Sequence, residues 1–421
     1  MKQEVIHLSP PLKIISFLLI AVIFVTSASY CMIMNLPIAD IMKNFQYNVL
    51  VILISMELFT NLIVETGIMQ VIAVKLALRS NGNKKAVLVL FGSMMFVISS
   101  FLNNITAVMI ILPVIFVLLK AVDLTQKYVR IFFGALLAIC NTGGASSPIG
   151  DFPAIIIMTS GITTFFDYLR RAMPIFLFTT MAIICYWSLK ISDKESRELQ
   201  SLGVNLLRAR HKHIKLDKKL LYALCVIFTI MFLTWSFAPQ EIIPPEVVAV
   251  LGYAVAAAVS ALLGKKIKLT IDFKAVLTIA SFLFMAGVIS ATGILDRMAF
   301  ILKDNISDPR LLLITIMLIT SILSGLCSAG PAAAAMMPVI IDLCQTTLSS
   351  QSHWVAIAYA ASICAGSSFF LWSATAGFIL SAKIENADLG FVWGAGGYLK
   401  YGLVNYVIQM IIALYAIILL V

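Results

Sequence analysis

The sequence predicts an all-α polytopic membrane protein, folded as an inverted repeat in which each half carries one re-entrant hairpin and one broken helix. Three observations lead there: the composition of a chain made mostly of spans, polar tracts set inside apolar runs, and self-similarity at an offset of about 225 residues.

The 421 residues are 61% hydrophobic and 12% charged, with a mean hydropathy of +1.02. A bilayer crossing takes about 20 apolar residues, and this composition leaves little room for anything else. The formal net charge of +10 falls in short loops between apolar runs. That is the positive-inside pattern, so no nucleic-acid partner is expected. Cys31, Cys140, Cys185, Cys225, Cys327, Cys344 and Cys364 lie in or beside apolar runs without a Cys-x-x-Cys pair. They read as buried reduced thiols.

Met1 to Lys13 is short and polar, and the run after it is too long for a cleaved signal. The first span is therefore 12–34, followed by 47–69, 131–159, 172–191, 219–238, 245–263, 273–294, 354–380 and 397–420, nine crossings in all. Segments 86–119 and 310–344 are interrupted by Leu102-Asn-Asn-Ile-Thr106 and Ser324-Gly-Leu-Cys-Ser-Ala-Gly-Pro331, and read as re-entrant hairpins. Between 190 and 219 nine basic residues face four acidic ones. With Arg79, Lys84, Lys85, Lys120, Lys127, Arg130, Lys265, Lys266 and Lys268 they share one side if both hairpins return to their own face. The expectation is a multi-pass protein of the cell inner (plasma) membrane, N-terminus cytoplasmic and C-terminus outside. His211-Lys-His213 lacks the companions a metal site needs and reads as part of a solvated linker.

The repeat aligns Asn103-Asn-Ile-Thr106 and Pro113 with Ser328-Ala-Gly-Pro331 and Pro338 at an offset of 225. Ser55 through Gly67 falls on Ser281 through Gly293 at 226. This divides the chain into a first repeat, 1–192, a basic loop plus linking span, 193–244, and a second repeat, 245–421. One linking span inverts the second half, so the hairpins open from opposite faces and their tips meet near the midplane.

Chemistry concentrates where the chain is interrupted. Cys140-Asn-Thr-Gly-Gly-Ala-Ser-Ser-Pro-Ile-Gly-Asp-Phe-Pro153 predicts non-helical chain at membrane depth, tolerated only where it is buried or lines a wet cavity. Asp151 sits in it, and an intramembrane carboxylate points to a coupling cation or proton, with capping of the restarted helix as the plain alternative. Asn103, Asn104 and Thr106 offer amides and hydroxyls beside a new helix N-terminus, which can favour an anion, coordinate Na⁺, or only cap. Glu57, Asn61 and Glu65 share one face of the second span, with Glu57 the better buried. The second half supplies Ser328, Ser367, Ser368, Ser373 and Thr375 but no charge at these tracts; the 332–335 alanine run reads as close helix packing.

Asn103-Asn-Ile-Thr106 with Pro113, and Asn141-Thr-Gly-Gly-Ala-Ser-Ser-Pro-Ile-Gly-Asp151, resemble the paired signatures of the ion transporter superfamily, in its NhaD-type sodium/proton antiporter and arsenite/citrate-like permease branches. The resemblance implies an inverted-repeat secondary transporter, often dimeric, with two hairpins and two broken helices around a central site. By motif it implies that Asn103, Asn104, Thr106, Asn141, Thr142, Gly143, Gly144, Ser146, Ser147 and Asp151 line that site. NhaD-like members tend to carry an acid at the second hairpin tip, where Ser328-Ala-Gly-Pro331 has none.

The expected function is a secondary active transporter of a small ion by alternating access, leaning to sodium/proton antiport, with Asp151 holding the cation and Glu57 assisting. The alternative is a Na⁺- or H⁺-coupled permease for an oxyanion or carboxylate; a channel would not need opposed repeats. No enzyme motif accompanies the spans, so catalysis is not expected. Nor is a cofactor beyond the coupling ion, Na⁺ or H⁺. The expected partners are the ion, the bilayer and, by resemblance, a second copy.

Overall fold

The computed structural model describes residues 25–35, 37–43, 45–80, 83–120, 125–191, 216–265, 273–387 and 395–420, and among them only helices and their connections. Residues 25–33 are helical. Most of the expected first span and most of the basic linker, with His211 and His213, lie outside the described residues.

The first half runs α1 (Ile38–Lys43), α2 (Tyr47–Glu65), α3 (Ile68–Arg79), α4 (Lys84–Phe101), α5 (Asn104–Lys120), α6 (Gln126–Ser146), α7 (Phe152–Thr159) and α8 (Phe165–Lys190). Then come α9 (Lys218–Phe237) and α10 (Pro245–Leu262). The second half runs α11 (Phe273–Ala291), α12 (Ile294–Asn305), α13 (Pro309–Cys327), α14 (Ala329–Gln345), α15 (Ser352–Ser367), α16 (Gly377–Asn386) and α17 (Ala395–Leu420).

Helix ends follow capping chemistry. Asn83 accepts from the backbone N–H groups of Lys85 and Ala86 at the start of α4, and Thr164 from Asp167 at the start of α8. Asp217 caps α9 through the Leu220 N–H at 3.1 Å. Its ion pair with Lys265, beyond the end of α10, holds that carboxyl below the usual carboxylate range. Gly67 and Gly293 adopt φ of 78° and 68°, the left-handed region open to glycine, and turn the chain out of α2 and α11.

Those two glycines stand at the repeat offset of 226, and the helices around them correspond end for end. α2 and α11 are both 19 residues, and α3 and α12 are both 12. α5 and α14 are both 17, with Pro113 and Pro338 at matching positions. α4 packs on α6 as α13 packs on α15, and α6 on α8 as α15 on α17. The halves are tied crosswise, α7 against α14 and α16 against α5. They are not equivalent throughout: α11 lies along α14, whereas its counterpart α2 lies along α7.

Among the described residues, eight helical segments are long and apolar enough to cross a membrane, which makes this an all-α, multi-pass membrane protein. They differ in detail from the expected nine. α4 and α13, the first arms of the two hairpins, are themselves among the eight, so these hairpins are deeper than short re-entrant loops. α8 begins at Phe165 rather than 172, because Pro174 is accommodated inside it. Ile294–Asn305 forms a helix where the sequence suggested only the end of a span, since Gly293 turns the chain rather than ending the order.

Candidate functional site

The first hairpin tip is two residues long. α4 closes at Phe101, Leu102 is extended, and Asn103 starts α5 by accepting the Ile105 N–H at 2.9 Å on its side-chain oxygen. Asn103 is thus a helix cap, and Asn104, the first residue inside α5, is fully buried.

The break in the following helix is narrower than 140–153. α6 continues through Asn141, Thr142, Gly143, Gly144 and Ser146, and only Ser147–Asp151 leave the helix. Pro148 explains the position, since the residue before a proline is pushed from helical to extended backbone, and Ser147 has φ −134° and ψ 154°. The glycines allow close approach rather than unwinding. A Cβ on Gly143 would lie 2.6 Å from the Phe96 carbonyl, and one on Gly144 would lie 2.7 Å from Oδ1 of Asn104 and 2.8 Å from Cβ of Asp151.

Hydroxyls and a backbone turn tie the break to the end of α4. Ser147 donates to the Ser100 carbonyl, Ser146 pairs with the Ser100 hydroxyl at 2.7 Å, and the Gly150 N–H reaches the Ser147 carbonyl at 3.3 Å. Buried backbone needs such partners.

Asp151 is 7% exposed. Its Oδ2 accepts from Nδ2 of Asn104 at 2.7 Å, and Ser99 donates to the side-chain oxygen Oδ1 of Asn104, which leaves the amide N–H groups facing the carboxylate. Thr375, from the break in the second half, approaches the same carboxylate. Its other oxygen, Oδ1, is buried with no hydrogen-bond partner among the described residues. The starts of α5 and α7 adjoin it, and that of α14, Ala329, lines a cavity beside it. Helix N-termini carry partial positive charge and stabilise an anionic group.

Two small cavities flank the carboxylate. One is lined by Glu57, Thr60, Asn103 and Asp151; the other by Asn141, Asp151, Tyr168, Ala329, Cys364 and Ser367. Each holds about 10 Å³, about the space of one water-sized occupant. No Lys or Arg lines either one. Asp151 is the one residue that lines both, Glu57 adds a second carboxylate to one of them, and the other walls are amide, hydroxyl, thiol and apolar side chains. Such a site suits a hard cation or a proton.

The sequence-predicted residues divide by position. Glu57, Asn103, Asn104, Asn141, Gly144, Asp151, Ser367 and Thr375 gather at Asp151 or its cavities. Ser368 stands one step away, accepting from Nδ2 of Asn141 and Nε2 of Gln409, both at 3.0 Å. Ser328 has φ 97° and donates to the Ser373 carbonyl at 3.2 Å, tying the second hairpin tip to the second break. Ser373 spends its own hydroxyl on nearby carbonyls. Thr142 pairs with Thr180 on α8, Gly143 packs on α4, and Thr106 lines neither cavity. Glu65 is exposed at the end of α2.

Several participants carried no sequence signal. Ser99 orients Asn104 from the last turn of α4 and could be suspected only as a hydroxyl beside the tip. Gln409 and Tyr398 reach Ser368 from α17, where Gln409 is marked only as one of two buried polar residues, with Asn405, in a mostly apolar run.

A family model described as citrate transporter matches residues 6–361 and 232–421. The chain belongs to the citrate transporter family. Among its relatives, an uncharacterized transporter of Mycobacterium tuberculosis is 26% identical over 301 residues, covering 70% of this chain and 68% of the relative. The magnetosome protein MamN of Paramagnetospirillum magneticum is 25% identical over 380 residues, covering 89% and 82%. A 46 kDa membrane protein of Mycobacterium leprae is 23% identical over 320 residues, covering 75% and 73%. With its spans and paired hairpins, this family member is a secondary transporter, and residues 99–104 and 147–151 of the transporter meet at Asp151.

Proposed function

We propose that the transporter exchanges Na⁺ for protons, and that Asp151 alternately holds the cation and the proton while Glu57 assists from the adjoining cavity. The observation that carries this reading is the buried Oδ1 of Asp151, unpaired and placed between two cavities of single-ion size with no basic residue in their walls. A carboxylate kept at membrane depth without a cationic partner favours binding a proton or a metal ion. The unequal fit of the halves, α11 on α14 but α2 on α7, supports alternating exposure of the site, since near-equal halves packed unequally have an exchanged arrangement within reach. The basic residues between spans support a cytoplasmic N-terminus in the plasma membrane.

The test is proteoliposomes carrying an internal pH dye. An imposed Na⁺ gradient should move protons in wild type and not in Asp151→Asn. Proton movement independent of Na⁺ and Li⁺, and unchanged in that variant, would rule the reading out.

A second reading is favoured by the family match. Here a citrate-like carboxylate or an oxyanion is moved together with Na⁺ or H⁺, the cation neutralising Asp151 so that the helix N-termini can receive the anion. Labelled citrate uptake driven by a Na⁺ or H⁺ gradient would select it. Absence of anion-dependent uptake at every pH from 5 to 8, as an order-of-magnitude survey of carboxylate and histidine titration, would sink it.

A further inference from the structure

A cavity of about 440 Å³, remote in character from the carboxylate, lies between α2, α3, α4 and the middle of α9. Its walls are apolar apart from Ser93, and its mouth lies between Ile72 and Val97, both exposed on helix faces in the hydrophobic stretch of the molecule. An apolar cavity of about 150 Å³ already stays dry and takes an apolar guest. One nearly three times larger that opens toward hydrocarbon will be filled from the bilayer. On α3 the lining residues Ile72 and Leu76 share their face with Lys75 and Arg79, at helical spacings of three, four and seven. Both basic residues are exposed, and they stand on the side of the cleft where α3 ends. Charge at that rim complements an anionic headgroup.

From this juxtaposition we infer that the cleft holds one acyl chain of an anionic phospholipid, with the headgroup at Lys75 and Arg79. The chain's far end meets Phe101 and Leu102, at the first hairpin tip. Met56 and Phe101 also wall the small cavity that contains Glu57, Asn103 and Asp151. Those two side chains are the partition between the lipid and the carboxylate. The bound lipid therefore braces the tip from the membrane side, whatever ion the transporter carries.

The experiment is native mass spectrometry of the delipidated full chain, titrated with phosphatidylglycerol and, in parallel, with phosphatidylcholine of the same acyl chains. Wild type should retain one phosphatidylglycerol in preference to phosphatidylcholine. Leu90→Trp, which fills the cleft, and Val97→Trp, at its mouth, should lose that lipid with helical content unchanged. Lys75→Ala and Arg79→Ala should each weaken phosphatidylglycerol retention about fivefold and leave phosphatidylcholine unaffected. These two exposed positions test the inference even if a tryptophan variant fails to fold. Unchanged retention of phosphatidylglycerol in folded tryptophan variants, no effect of the Lys75 and Arg79 substitutions, or equal retention of both lipids by wild type would each overturn it.

Discussion

Asn104, the first residue of α5, donates through Nδ2 to Oδ2 of Asp151 at 2.7 Å, joining a hairpin tip to the interrupted helix that follows it. Two breaks in regular structure thus complete each other. The amide that α5 would otherwise bury unpaired becomes a charge-assisted donor to a carboxylate that would otherwise be stranded.

Replacing Asp151 by Asn keeps the volume and an acceptor oxygen for Asn104, so the fold should survive. The charge to which the proposed exchange assigns the cation is gone. Coupled flux in proteoliposomes should fall by at least about tenfold, corresponding to about 1.4 kcal/mol of lost cation binding, while the size-exclusion profile stays that of wild type.

Asn104→Ala acts differently, because it removes the amide donor on Oδ2 of a buried carboxylate. A hydrogen bond to a charged group contributes about 1.5–3 kcal/mol. Thermal unfolding in detergent should show a loss of that order, and the double variant Asn104→Ala/Asp151→Asn should recover part of it.

Gly144→Ala should abolish transport, since its Cβ would enter the contact between Asn104 and Asp151 at 2.7 and 2.8 Å. Gly325→Ala is the control. There the nearest atom to a new Cβ is the Gly366 carbonyl at 3.4 Å, an ordinary contact, and alanine gains up to about 1 kcal/mol in a helix interior. Parallel flux and melting measurements separate the two.

Away from the bilayer core, Asp217 gives a pH dependence of defined sign. Its folded pKa is lowered by Lys265, so the contribution to stability is present above the unfolded value of about 3.9 and is lost as pH falls through the folded value. Asp217→Asn preserves an N-cap but removes the charge. Wild type should melt slightly higher than the variant at neutral pH, and the curves should converge in acid. Added salt should narrow the gap, because the pair is partly exposed. A gap that persists unchanged at the lowest pH would contradict this assignment.

Much of this is legible in the amino-acid sequence. The repeat register is visible in the alignment of Ser55–Gly67 with Ser281–Gly293 and of Pro113 with Pro338, and the left-handed turns at Gly67 and Gly293 fall on that register. Asp151, Asn103 and Asn104 were legible because polar residues at membrane depth are expensive. The extent of the break was not, since Asn141–Ser146 reads as loop by composition yet stays helical where α4 packs against it. Ser99 and Gln409 were invisible for another reason. Their roles depend on which helix lies opposite, a long-range fact that one-dimensional patterning does not hold.

The carboxylate is walled closely by main chain: a methyl on Gly144 would strike Asn104 and Asp151, and one on Gly150 would lie 2.6 Å from the Gly144 carbonyl. Bore and ligand spacing in this chamber are thus inherited from the peptide backbone, which side-chain exchange cannot adjust by small steps. Retuning it for a larger cargo requires moving whole helices, so descendants of this chain should diversify at their rims long before they change at the centre.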